Sequence, residues 1–338
     1  MILLVKTSQS AGIRESKGGS KMDAKWKRLT TFGLATMTLA LTGLTVRAQG
    51  EIDTSVVDEA WGKPTYIYGG GLTSDQVDET ADLLGIDNRD NVNESSVEGQ
   101  DLQKYLKQGV GSTSSMISSV LVQRRAENTG VEVNIVTPDN ITRISDLQYA
   151  NAAITAGVED AQIMVAAIRP VTGESALTGV YKAFELNGEN LEGDRMEVAQ
   201  EELETTEQIS KDLDQADQAK LNQAIADIKR DLAELKDRVD GLPSKEDIQE
   251  IVNQALANHN LSQVVSPEQV DQLIVLFVKY QETSAIDSNQ VLQQLERYSQ
   301  DLKAKAGDLI EEAENRGIFD AIRDFFRQLW QALLDLFN

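Results

Sequence analysis

TYIYGGGLTSDQVDETADLLG, residues 65–85, carries the alternation on which the fold turns. Thr65, Tyr66, Ile67 and Tyr68 are β-favouring residues that run into Gly69, Gly70 and Gly71. Thr73 is placed to cap a helix, with Gln76 three residues on as its capping-box partner. Val77, Ala81 and Leu84 then fall on one face at helical spacing, and Gly85 is a natural stop. A strand, a glycine turn and a capped helix in this order are the unit of a sheet with covering helices.

The same alternation continues on the C-terminal side. Residues 101–108 predict a short helix with Leu102, Tyr105 and Leu106 inward. Residues 116–123 and 131–136 are rich in β-branched side chains and are separated by Asn128-Thr129-Gly130, which predicts a hairpin with a longer loop. Residues 145–156 predict a helix ended by Gly157, and the nearly unbroken apolar run 161–168 predicts a strand buried on both faces. Residues 174–186 predict the last helix of this part. The expected fold class is therefore α+β or α/β, a compact mixed sheet-and-helix domain over 63–188, preceded by a linker at 49–62.

From 189 to 317 no strand pattern survives, and an all-α region is expected. The acidic stretch 197–217 reads as a solvated face or a flexible joint. Leu221, Ile225, Ile228, Leu232, Leu235 and Val239 then step by fours and threes, a short heptad seam. Such a seam, the local mark of a coiled coil, serves either packing within the chain or self-association. Gly241-Leu242-Pro243 breaks it. Ser244 opens a further helix, Ser266-Pro267 another, and residues 288–316 a long one. The final segment, 318–338, gathers Phe325, Phe326, Leu329, Trp330, Leu333 and Phe337 on one broad apolar face. A helix so apolar does not sit free in water. It is a candidate docking or attachment device, for protein or for weak contact with a membrane. Its polar face mixes Asp320, Asp324 and Asp335 with Arg323 and Arg327, net −1, and is not the lysine- or arginine-rich face that meets anionic lipid, which favours protein.

The 338 residues carry 32 Lys+Arg against 55 Asp+Glu, a formal charge of −23, with one histidine and no cysteine. Disulfides, thiol nucleophiles and cysteine-ligated metals are excluded. So is any site that needs several imidazoles. The negative charge repels phosphate backbones, so no nucleic-acid partner is expected.

Residues 1–48 read as an address. Lys25, Lys27 and Arg28 precede the uncharged run LTTFGLATMTLALTGLTV, residues 29–46, and Val46-Arg47-Ala48 places small residues as a signal peptidase requires. Cleavage near Ala48 leaves a chain beginning at Gln49, and Met22 is a candidate true start. The expected location is extracellular or in the cell envelope.

Catalytic motifs are incomplete. Gly173-Glu174-Ser175 begins like a nucleophile elbow, but Leu177 stands where glycine is needed. GVGSTSS, residues 109–115, lacks the Gly-Lys-Ser/Thr ending of a phosphate loop and reads as a hydroxyl-rich turn. DNRDNVNE, residues 87–94, has Arg89 and Val92 at positions that an EF-hand cannot spare. No cofactor is predicted, with an irregular calcium site the one alternative. His259 lies near a helix C-terminus, where a mildly favourable charge is its expected role. The candidate ligand site is the turn of Gly173, Ser175 and Gly179, where backbone amides at a helix start could receive an anion.

VEVNIVTPDNIT (131–142), NAAITAGVEDAQIMVAA (151–167) and VTGESALTGVYKAFE (171–185), with YGGGLTSDQ (68–76) and LLGI (83–86), resemble the YpuA-like family of exported bacterial proteins, mainly Gram-positive, a domain of unknown function. The resemblance implies an exported or envelope protein without assigned activity, and it supplies no catalytic residue. The expected function is a non-enzymatic binding or structural module acting on an envelope protein or polymer. The alternative is an extracytoplasmic hydrolase or transferase working through paired carboxylates, which would need a cleft holding two carboxyls in unlike environments.

Overall fold

Thr65–Gly69 forms β1, where its aromatic and β-branched side chains pack on both faces of a sheet. The computed structural model describes residues 51–107, 111–239 and 241–300. The remaining strands are β2 (Asn93–Val97), β3 (Ser119–Arg124), β4 (Val131–Ile135) and β5 (Ala161–Ala166), and the spatial order is β2-β1-β3-β5-β4. β1, β2, β4 and β5 are mutually parallel, and β3 runs against both its neighbours. The fold class is thus a mixed sheet with helices, followed by helices alone, as the sequence predicts.

The predicted hairpin does not form. β5 lies between β3 and β4, antiparallel to β3 from Ser119↔Ala166 to Arg124↔Ala161 and parallel to β4 from Val131↔Ala161 to Ile135↔Val165. The reason is burial. Ile163, Met164, Val165 and Ala166 are covered on both faces, so β5 takes an interior position. β4, with Glu132 and Asn134 alternating with Val133, suits an edge. β2 has no apolar signal, since NESSV is a polar edge strand held by its pairing with β1.

One face of the sheet is covered by α1 (Ser74–Leu83), which sets Val77 and Ala81 against Tyr66, Leu121 and Met164. The predicted capping box is present, and Thr73 N donates to Gln76 Oε1 at 3.0 Å. The other face is covered by α2 (Gly99–Leu106), α3 (Asp146–Ala156) and α4 (Ser175–Leu186), which enclose Ile67, Val120, Val122, Ile163 and Val165. Each large apolar side chain withdrawn in this way contributes about 1.5–3 kcal/mol.

α5 (Gly193–Ser210), α6 (Gln215–Lys236), α7 (Lys245–Asn258), α8 (Pro267–Tyr280) and α9 (289–300) follow. The heptad seam is covered within the chain. Leu221, Ile225, Ile228 and Leu232 are buried in one cluster with Ile248 and Val252 of α7 and Leu273 and Phe277 of α8, while Val239 at its end is exposed. The acidic stretch is neither a solvated face nor a joint. It forms most of α5, which has Met196, Ala199 and Leu203 in the core beneath the sheet and Val198 and Ile209 in the helical core. All of its glutamates but Glu204 pair with a cation, so acidity did not forbid burial.

The most enclosed of these is Glu202, 1% exposed. Its Oε1 accepts from Lys229 Nζ at 2.6 Å and its Oε2 from Thr155 Oγ1 at 2.7 Å. Lys229, 0% exposed, also donates to the Asn151 carbonyl at 3.2 Å. Burial pulls the Lys229 ammonium below the ordinary lysine range, against the opposing pull of Glu202. Arg195 donates to the carbonyls of Ile154 and Thr155 at the end of α3, where Gly157 takes a positive φ of 96°. A polar seam thus joins α3 to α5 and α6. His259 caps α7, and its Nε2 lies 2.7 Å from Asp227 Oδ2 of α6.

The leader expected over 1–48 and the attachment face of Phe325, Phe326, Leu329, Trp330, Leu333 and Phe337 lie outside the described residues. Among the described residues no helix is long and apolar enough to cross a membrane.

Candidate functional site

Parallel pairing brings the carboxyl ends of β1, β2, β4 and β5 to one edge of the sheet, together with the start of β3. Ligands of open sheets bind at such an edge, because the loops that leave it are free to vary. Here the loop 111–118 lies directly on the end of β1. Gly71 N donates to the Met116 carbonyl at 2.9 Å, Gly70 N to the Val97 carbonyl at 2.8 Å and Gly99 N to Thr113 Oγ1 at 2.9 Å. A Cβ on Gly69 would stand 2.3 Å from Met116 O, and one on Gly71 would stand 2.6 Å from Ser114 O. The glycine run therefore serves close backbone approach.

Above this platform is a cleft of about 340 Å³. Its rim carries the hydroxyls of Ser112, Ser115, Ser118, Thr172 and Ser175, and its apolar floor is Leu102, Leu106 and Met116. Glu174 stands on one wall, and Gln200 and Glu204 of α5 stand on the other. Glu174 accepts from Thr172 Oγ1 at 2.6 Å, and Glu204 accepts from Gln200 Nε2 at 3.0 Å. Gln200 is 4% exposed, and its Oε1 has no partner among the described residues. A depression of about 430 Å³ elsewhere runs along α7 alone and has no second wall.

The predicted ligand turn divides. Gly173 and Ser175 line the cleft, whereas Gly179 lies a turn farther into α4, where its missing Cβ lets Val120 and Ile67 approach. Gly173 has φ +106°, and its carbonyl accepts from the buried Tyr149 hydroxyl at 2.6 Å. Burial, with the nearby Glu174 charge, holds that phenol well above the ordinary tyrosine range. Glu174 and Glu204, with no Lys, Arg or His on the wall among the described residues, make this a poor place for an anion. Both carboxylates are exposed and each is bonded to a neutral side chain, so they do not form the unlike pair that acid–base catalysis requires.

The calcium candidate also has a structural account. Residues 89–91 form a single 3₁₀ turn leading into β2, and Arg89 holds Asp78 at 2.6 Å and also pairs with Glu94. Among the described residues no group of three or more ligand-type side chains is placed to hold a metal.

Gln200 and Glu204 were missed from sequence because they sit in the acidic stretch. Their four-residue spacing, which puts them on one helix face, was the available signal.

A mixed sheet with a cleft at its parallel edge and a helical second half defines the class. The chain belongs to the family described as protein of unknown function (DUF1002), whose model matches residues 68–298, from β1 to α9. A curated relative, "Uncharacterized protein YpuA" of Bacillus subtilis (strain 168), is 31% identical over 289 residues, which cover 84% of this chain and 93% of that protein. No solved structure matches the chain.

Proposed function

We propose that this protein is an exported, non-enzymatic binding module of the cell envelope or exterior, which holds a small ligand in the cleft above the β1 glycine run. The observation that carries the proposal is a walled cleft whose serines have no imidazole or amine beside them among the described residues. Among the described residues no histidine or lysine lines it, and the lone histidine, His259, is engaged with Asp227 on α6. Hydroxyls, carboxylates and an apolar floor then serve recognition.

An NMR screen of small polar and amphipathic fragments against the full chain should concentrate its shift changes on the amides of Ser112, Ser115, Ser175 and Gln200. Ser175→Ala should weaken those hits several-fold while its melting temperature stays within about 1 °C, as for other partly exposed sites. Hits scattered over the surface would remove the cleft from consideration.

The export part rests on the leader. N-terminal sequencing of the protein recovered outside the cell should begin at Gln49. A form that retains residues 29–46 would make this an anchored protein and overturn the secreted reading.

A further inference from the structure

α5 carries five glutamates, and four of them hold a cation of this chain. Glu197 pairs with Lys107 at 2.7 Å, Glu201 with Lys279 at 2.6 Å, Glu202 with Lys229 at 2.6 Å, and Glu207 with Lys211 at 3.2 Å. Glu204, the one that faces the cleft, has only the neutral Gln200 amide. Across the cleft Glu174 likewise has only the Thr172 hydroxyl. Among the described residues neither has a cationic partner.

We infer that the cleft takes a primary ammonium on an aliphatic stem, with Glu204 as its counter-ion. This deepens the binding reading above and rests on it. Three features agree. Among the described residues the wall offers two exposed carboxylates without a fixed cation, and the buried Gln200 side chain that lines it has an Oε1 lacking a donor. An ammonium has three donors and no acceptor, which complements that wall. The floor of Leu102, Leu106 and Met116 suits a methylene stem, as long cationic side chains bury their stems and keep the charge at a polar rim. The charge of −23 draws cations toward the molecule and turns anions away.

Two sources present this chemistry, the side chain of lysine in a peptide and a free diamine. Calorimetric titration of the full chain with N-acetyl-Ala-Lys-Ala-amide, its Nε-acetyl-lysine counterpart and 1,5-diaminopentane separates them. Both cationic probes should bind, and the tighter of the two identifies the source. Nε-acetylation should weaken the peptide at least tenfold. Glu204→Gln should weaken both cationic probes about five- to tenfold without moving the melting temperature, while Glu268→Gln, at an exposed position of α8, changes neither affinity. Equal affinity for the acetylated peptide, or an unchanged affinity in Glu204→Gln, overturns the inference. If the acetylated peptide binds as tightly as the lysine peptide and shifts the Ser115 and Ser175 amides, the cleft reading stands while the ammonium falls. If no probe shifts them, both fall.

Discussion

Lys229→Met is expected to lower folding stability by about 3–5 kcal/mol, the usual result of leaving one partner of a buried ion pair alone. Lys229 and Glu202 are 0% and 2% exposed at their side chains and 2.6 Å apart, so water cannot take over the missing charge. Urea unfolding followed by circular dichroism measures the loss. The paired change Lys229→Met with Glu202→Leu should restore at least half of it, because removing both charges also removes the cost of desolvating them. The two Thr155 and Asn151 contacts would still be lost, which sets a limit on the recovery. A single variant that loses less than about 1 kcal/mol would show that the pair is reached by solvent and does not act as a pin.

Gly69→Ala is the second large effect. The added methyl carbon would lie 2.3 Å from Met116 O and 2.8 Å from the Ile117 Cα, both backbone atoms that no rotamer change can move aside. The loop must lift, and the Gly71 N to Met116 O bond of 2.9 Å goes with it. Overpacking of this kind costs about 1–3 kcal/mol. Because Met116 and Ser115 line the cleft, fragment binding there should also be lost. Gly130→Ala is the control. Its φ of +79° leaves conformational strain of about 1 kcal/mol, and nothing stands within 4 Å of the new carbon. Melting temperature and the fragment shifts together distinguish the two variants. If Gly69→Ala keeps both, the close approach is not what holds the cleft.

Local signals were the most legible in the sequence. Thr73, Ser145, Ser244 and Ser266 each cap the helix that their side chains announce. Capping is settled within four residues, so a short window is enough. Strand order was not legible, because Asn128-Thr129-Gly130 permits a hairpin and nothing near it reveals that 161–166 will insert. The polar β2 depends on a neighbour twenty-eight residues earlier in register, Thr65↔Asn93. Gly173 and Ser175 were legible as a turn beside a helix start. Their opposite wall was hidden because charge composition alone does not say which carboxylates have partners. Glu202 and Glu204 are two residues apart, yet one is sealed with Lys229 and the other faces the cleft.

α9 bears on how the chain reaches this state. Val291, Leu295 and Tyr298 belong to the core beneath the sheet, the Tyr298 hydroxyl donates to the Leu147 carbonyl, and Gln294 Nε2 donates to the Val158 carbonyl. These contacts join positions separated by 151 and 136 residues. Loops of that length are closed late, so the side of α3 that α9 covers stays open after the local contacts have formed. Until α9 docks, Leu147 and Val158 lack these partners and the apolar residues that Val291, Leu295 and Tyr298 cover stay open to solvent. An intermediate that lacks only α9 is thus the species most exposed to aggregation on the folding path.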